Sequence, residues 1–214
     1  MSEHAKLRED ICTLAKSMFD RGLTCGSSGN ISAQLSDGSV LVTPTGRAMG
    51  FLDPAQISHL DTNFRLISGD PPTKETPLHS AFYETRNDTG AVVHLHSTHS
   101  VALSMLPETD PDNVLPALTP YAIMRVGKVK LLPFFLPGDP AMGDAVRGLA
   151  GKSSAVLLAN HGPVVAGKDI WAASFAMEEL EETAKLAILT RGMNATLLSD
   201  DHIQQIVRKF DVDW

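Results

Sequence analysis

Ala91-Val92-Val93-His94-Leu95-His96 constrains the fold of this chain more than any other segment. Its first residues are apolar and β-branched, the composition of a buried strand. Strand side chains alternate between faces, so His94 and His96, two apart, project from one side. Two imidazoles at a strand end can share one metal ion. A catalytic zinc typically takes three protein ligands and keeps a position open. A His-x-His pair also occurs simply as polar residues at the rim of a sheet, so the pair alone leaves both readings open. A third histidine shifts the balance. Residues 155–165, Ala-Val-Leu-Leu-Ala-Asn-His-Gly-Pro-Val-Val, read as an apolar strand, a turn at Gly162-Pro163 and a returning strand. His161 then also sits at a strand terminus. His99, three residues beyond His96, falls after the strand and is not expected on that face.

Composition narrows the function classes. The 214 residues suit one domain, 1–214, with a sizeable core. With a net charge of −7 and no basic cluster, nucleic acid and anionic membranes are not expected partners. An anionic small substrate would need local groups to hold it. Two cysteines, Cys12 and Cys25, without a C-x-x-C, fit a reducing cytoplasm. The first residues lack the architecture of a secretory signal, and no apolar run reaches the ~20 residues that span a bilayer.

Along the chain, residues 3–21 carry Leu7, Ile11, Leu14, Ala15, Met18 and Phe19 at helical spacing, with Gly22 as a stop. Residues 22–32 are rich in glycine and hydroxyls: Gly26-Ser27-Ser28-Gly29-Asn30 could cradle a phosphate, or be a plain surface turn, and no Walker lysine follows. A hairpin bends at Asp37-Gly38 and runs into a second such turn, Thr43-Pro44-Thr45-Gly46. Asp53-Pro54 opens a short helix, and residues 64–67 suit a strand. Thr76 is expected to cap a helix starting at Pro77. Thr73, Lys74 and Glu75 lie just before it, where helix amides attract anions. Glu75 could ligate a metal or move a proton; the alternative is that Lys74 and Glu75 are solvated loop charges. His79 is expected to be structural. Residues 98–106 look helical, 107–120 irregular, 129–133 a short strand. Residues 134–138, Phe-Phe-Leu-Pro-Gly, form an apolar loop suited to packing on a neighbouring subunit. Asp139-Pro140 is expected to cap a helix to about Gly151, Asp169 one to about Thr190, and Asp200 one to about Lys209. The Glu178-Glu179-x-Glu181-Glu182 run reads as a solvated face. Helices mixed with hairpins argue for an α+β or three-layer α/β/α domain around one sheet, and no dinucleotide fingerprint is present.

Taken in order, Gly26-Ser27-Ser28-Gly29-Asn30-Ile31-Ser32, Thr43-Pro44-Thr45-Gly46, Glu75 ahead of a helix with His79, Ala91-Val92-Val93-His94-Leu95-His96 and Asn160-His161-Gly162 resemble the class II aldolase/adducin family over nearly the whole chain. The wording of His94-Leu95-His96-Ser97-Thr98, Thr119-Pro120-Tyr121, residues 157–165 and residues 177–185 is similar to its bacterial 3-oxo-tetronate 4-phosphate decarboxylases. The resemblance implies a three-layer α/β/α sandwich around a mixed, largely antiparallel sheet. It implies one Zn²⁺ per subunit, with Mn²⁺ or Co²⁺ acceptable, on His94, His96 and His161. Glu75 becomes the acid/base carboxylate that can approach the resting metal. Ser27, Asn30, Thr45 and Gly46 match phosphate-loop positions. Thr73 and Lys74 stand where the aldolases usually carry two serines. Tyr121 matches a proton-donating tyrosine, across an alignment gap. A C4 homotetramer with its site near a subunit boundary is also implied.

The activity implied is decarboxylation of a phosphorylated four-carbon sugar acid, 3-oxo-tetronate 4-phosphate, to dihydroxyacetone phosphate (glycerone phosphate) and CO₂ through a metal-stabilised enediolate. An aldolase of the fuculose-1-phosphate type shares that enediolate, and an epimerase of the ribulose-5-phosphate type belongs to the same family. A non-catalytic module of the adducin kind is the alternative from another class.

Overall fold

The computed structural model describes residues 2–212 and 214. Ser2 caps the first helix, α1 (Glu3–Asp20), by accepting from the Ala5 amide, and the helix buries Ile11, Leu14, Ala15 and Met18. The hairpin follows as β1 (Asn30–Gln34) and β2 (Val40–Val42). β3 (Ser58–Leu60) and β4 (Leu66–Ser68) extend the sheet. β3 has only three residues and no periodicity to show for itself; Phe64, expected in a strand, instead turns the chain at φ 59°.

After α2 (Thr76–Thr85) comes β5 (Ala91–His94), then α3 (Thr98–Ser104), α4 (Pro120–Arg125) and β6 (Lys130–Leu132). α4 starts at the last residue of the stretch expected to be irregular and has no counterpart among the expected elements, although its signal is in the sequence: Thr119 accepts from the Ala122 amide and Pro120 stands at the first helical position. α5 (Ala141–Arg147) stops earlier than its pattern suggested, because the chain turns through Ala150 and Gly151, both at positive φ. β7 (Ala155–Leu158), β8 (Gly162–Gly167), α6 (Ile170–Leu189) and α7 (Asp200–Phe210) complete the chain. The cap of α7 is Ser199, not Asp200, and forms a capping box with His202.

The eight strands form one sheet in the order β4-β3-β2-β1-β5-β8-β7-β6. Every pairing is antiparallel except β6 with β7, which α5 joins as a crossover. Strand parity decides which layer each residue meets. Ala91, Val93, Leu157 and Val165 pack with residues of α1, α3 and α6, whereas Val92, Val156, Leu158 and Val164 pack with Leu78, Ala81 and Phe82 of α2 and with Met142 and Val146 of α5. Burying a side chain such as Phe82 contributes about 1.5–3 kcal/mol. The result is the expected three-layer α/β/α arrangement.

Parity also aims the polar residues. Asn30 pairs with His94, Ser32 with Val92 and His94 with Val164. Asn30, Ser32 and His94 therefore share the face covered by α2. The turn between β7 and β8 lies at Ala159-Asn160-His161, with Asn160 at φ 56°, one step earlier than Gly162-Pro163, which already belong to β8. Gly162 is where the two histidine-bearing segments touch: a Cβ there would lie 2.2 Å from the Leu95 carbonyl oxygen. Gly162→Ala is expected to lower the unfolding free energy by about 1–3 kcal/mol, measured by urea denaturation; an unchanged midpoint would mean that the contact is looser than drawn.

Candidate metal centre and its carboxylate

His94 ends β5, His96 follows it by two residues and His161 occupies the β7–β8 turn. One nitrogen from each lies within 4.8 Å of the others. The rings meet edge to face, with centroids 5.0, 4.9 and 4.7 Å apart. His94 is fully buried and His161 nearly so, while His96 is half-buried.

The donor set fits a cation. His94 Nδ1 donates to the Pro163 carbonyl at 2.8 Å, which leaves the Nε2 lone pair facing the cluster. His94 Nε2 and both ring nitrogens of His161 are buried without a hydrogen-bond partner. Unsatisfied buried polar atoms cost about 1–3 kcal/mol each, and ligation of one metal ion satisfies His94 Nε2 and one of the two His161 nitrogens. Burial lowers the pKa of His94 despite the neighbouring Glu75, and burial followed by the proximity of His161 lowers that of His96. Both shifts favour the neutral, ligand-competent imidazole.

Glu75 faces this cluster from the start of α2. It is the N-cap residue of that helix, but its side chain does not cap. Thr76, expected as the cap, lies inside the first turn and donates to the Thr73 carbonyl. The freed Glu75 carboxylate is buried: Oε2 accepts from Asn30 Nδ2 at 2.7 Å and lies 3.4 Å from His94 Nε2, and Oε1 lies 3.5 Å from His161 Nε2. Burial alone would raise its pKa, but His94, the Asn30 amide, His161 and His79 together bring it below the usual carboxylate range. The carboxylate is thus ionised and positioned to meet a cation or a proton.

The loop positions surround this centre unequally. Gly29, at φ 86°, packs on the His94 carbonyl and the Leu95 side chain. Thr43-Pro44-Thr45 and residues 71–73 run side by side, with Thr73 N donating to Thr43 O and Thr45 N to Pro71 O. Thr73 is buried and its hydroxyl accepts from the Glu75 amide; Ser27, Thr45, Gly46 and Lys74 are exposed. Among the described residues Lys74 has no ion-pair partner, and Gly138 packs against its side chain. Asn30 differs from its loop companions: its side chain is buried between Glu75 and His79. Tyr121 is 53% exposed on α4, stacked under Arg125, and is not brought to the histidines within this chain. A cleft of about 850 Å³ lined by Arg86, Thr89, Arg125, Lys152 and Lys168 opens at the opposite end of β5 and β8 and contains none of the three histidines.

Two contributions escaped the sequence. Glu181 is not on a solvated face. It accepts from the His99 and Ser100 amides, from His99 Nδ1 and from the Ser100 hydroxyl, and so ties α6 to the start of α3 just beyond His96. No local signal distinguishes it from its acidic neighbours. His79 is more than filler: it holds Asn30. Its spacing of four from Glu75 on one helix is the signal that could have found it.

Residues 9–188 match the Class II Aldolase and Adducin N-terminal domain family, and the chain belongs to it. A 3-oxo-tetronate 4-phosphate decarboxylase from Cupriavidus necator is 45% identical over 218 residues, covering 100% of both chains. An L-fuculose phosphate aldolase from Methanococcus maripaludis is 37% identical over 82% of this chain and 91% of that one. The crystal structure of YgbL from Escherichia coli, described as an aldolase, epimerase or decarboxylase, superposes with a TM-score of 0.94 at 42% identity, covering 96% of this chain and 99% of that one. The protein is accordingly an enzyme of the lyase class, a carboxy-lyase or an aldolase.

His96→Ala is expected to abolish stoichiometric metal binding, whereas His99→Ala keeps it; plasma emission spectrometry of the purified variants decides, and metal retained by His96→Ala would overturn the ligand set. Acid stability follows from His79, whose pKa burial lowers to about 3. An unfolded histidine titrates near 6.5. Between those values the unfolded chain binds more protons, so metal-free protein should lose stability as pH falls below about 6.5 and stay level above it. Urea midpoints at pH 5 equal to those at pH 7 would contradict a neutral buried His79.

Proposed function

We propose that this lyase decarboxylates a 3-oxo-tetronate 4-phosphate to dihydroxyacetone phosphate and CO₂, in the breakdown of four-carbon sugar acids. The observation that carries the reading is the cluster of His94, His96 and His161, with buried, unpartnered nitrogens on His94 and His161, facing an ionised Glu75, in a chain 45% identical to a decarboxylase over its full length.

Carbon 1 of such a substrate is a carboxylate β to the C3 ketone. When the C1–C2 bond breaks, CO₂ leaves and the electron pair moves through C2 toward the ketone oxygen. Lewis acidity for that charge is what a divalent cation, Zn²⁺ or else Mn²⁺ or Co²⁺, supplies when His94, His96 and His161 hold it. The chain's own task is then a proton at C2. Glu75 Oε2 is engaged by Asn30, so Oε1 is the atom free to take up a proton from water and pass it to C2. Ser27, Thr45, Gly46, Thr73 and Lys74 grip the phosphate, and Lys74 brings local positive charge to an acidic protein. Asn30 serves Glu75 instead of phosphate. Tyr121 serves as a proton donor only from a neighbouring subunit, in the C4 tetramer that the exposed Phe134 and Leu136 help to close. The chain works as one domain in the cytoplasm, with Cys12 and Cys25 as free thiols.

An aldolase would break a C–C bond to an aldehyde and leave the same electron pair, and the 37% identity to an aldolase keeps that second reading. An adducin-like module needs no metal, and the three convergent imidazoles argue against it. Incubation of metal-loaded protein with four-carbon phosphorylated keto acids is expected to release CO₂ and triose phosphate in equal amounts. Triose phosphate accompanied by an aldehyde and no CO₂, from a sugar phosphate, would reject the decarboxylase. Glu75→Gln should lower kcat by about 10²–10⁴ with metal content unchanged.

A further inference from the structure

Behind Glu75 lies a buried row of side chains that the reaction itself does not use: Asn30, His79, Ser32 and Tyr83. Their spacings are 2.5 Å from Asn30 Oδ1 to His79 Nε2, 2.7 Å from His79 Nδ1 to Ser32 Oγ and 2.9 Å from Ser32 Oγ to the Tyr83 hydroxyl. Hydrogens along such a row are assigned by what each group can accept or donate.

The row admits one consistent direction. An ionised carboxylate only accepts, so Asn30 turns its NH₂ group to Glu75 Oε2. The Asn30 carbonyl oxygen is then toward His79 Nε2 and must accept, so Nε2 carries the hydrogen. A neutral imidazole has a single N–H. Nδ1 is therefore an acceptor, the Ser32 hydroxyl donates to it, and the Tyr83 hydroxyl donates to Ser32. The opposite tautomer would set the Nε2 lone pair against the Asn30 carbonyl oxygen at 2.5 Å. Flipping the amide to relieve that would press its carbonyl onto the Glu75 carboxylate. Unmade bonds of this kind inside a protein are far costlier than in water. Burial favours the neutral ring, since it pushes His79 well below the usual histidine range.

We propose that His79 is a positioning residue: as its Nε2–H tautomer it locks the Asn30 amide, which holds Glu75 Oε2 and leaves Oε1 as the oxygen that moves the proton. His79 touches neither the three candidate ligands nor, in this reading, the substrate. The proposal rests on Glu75 being the proton-handling group, and explains why Asn30, in a glycine-rich anion loop, faces inward.

The test has two arms. Nitrogen-15 NMR of the metal-loaded protein, labelled at histidine, should show His79 at pH 7 with a protonated Nε2 and an unprotonated Nδ1. The other tautomer, or a cation, overturns the proposal, and this arm needs no substrate. In the second arm, His79→Leu should lower kcat by about 10–100-fold, with KM and bound metal per chain unchanged. His79→Gln, which keeps an N–H near the Nε2 position, should recover most of kcat. Parallel loss of kcat, KM and metal, or a glutamine variant no better than leucine, assigns His79 to packing alone and overturns the proposal. If the leucine variant does not fold, His79→Gln is compared with His79→Asn, which cannot reach Asn30; equal kcat values overturn it. Failure of the functional reading looks different: wild-type protein gives no product while His79 still shows the Nε2–H tautomer.

Discussion

Burying the Glu75 carboxylate costs several kcal/mol unless hydrogen bonds and opposite charge compensate it, and the surrounding side chains divide that task. Asn30 gives Oε2 its hydrogen bond, while His94 and His161 lie at 3.4 and 3.5 Å, longer than hydrogen bonds. That spacing leaves the imidazole lone pairs directed at a common point. A carboxylate with three nitrogen donors beside it is a poor hydrophobic core and a good cation site. The polar row from Tyr83 to Asn30 and the tie from His94 Nδ1 to Pro163 both hold this arrangement from behind.

The scaffold supports it through strand parity. One face of β5 and β1 carries Val92, His94, Asn30 and Ser32; α2 covers that face and brings Glu75, His79 and Tyr83 to it. The opposite face is apolar against α1, α3 and α6. A one-residue slip between β1 and β5 would turn Asn30 and Ser32 into that apolar layer. Close backbone approach does the rest: Gly29 lets the glycine loop lie on the His94 carbonyl, and Gly162 lets β8 begin against Leu95. Glu181, reaching from α6 to the first amides of α3, fixes the segment that leaves His96.

Much of this could be read from residue order. The strand ending in His94 and the one preceding His161 announced themselves through apolar β-branched runs, and α1 and α6 through helical spacing and clear caps. Short elements did not: β3 and β4 have three residues each, too few for a period to show, and α5 ended where positive-φ residues turned the chain. Glu75 was singled out by its place before a helix, but Thr76 was expected to cap that helix, and the structure instead leaves the cap unmade and the carboxylate turned inward. Glu181 looked like one of several surface acids, because nothing within its helix reveals the α3 amides that it meets.

Local chemistry along the chain thus determined the three histidines, the family to which they belong and the alternation that places His94 on one side of its strand. These depend only on residue type and near-neighbour spacing. Folding alone decided which distant groups meet: that Asn30 faces Glu75 through a 45-residue separation, that His161 closes on His94, and that Tyr121 lies apart from them. Such contacts arise from sheet register and layer packing, which join segments whose spacing along the chain carries no trace of their distance in space.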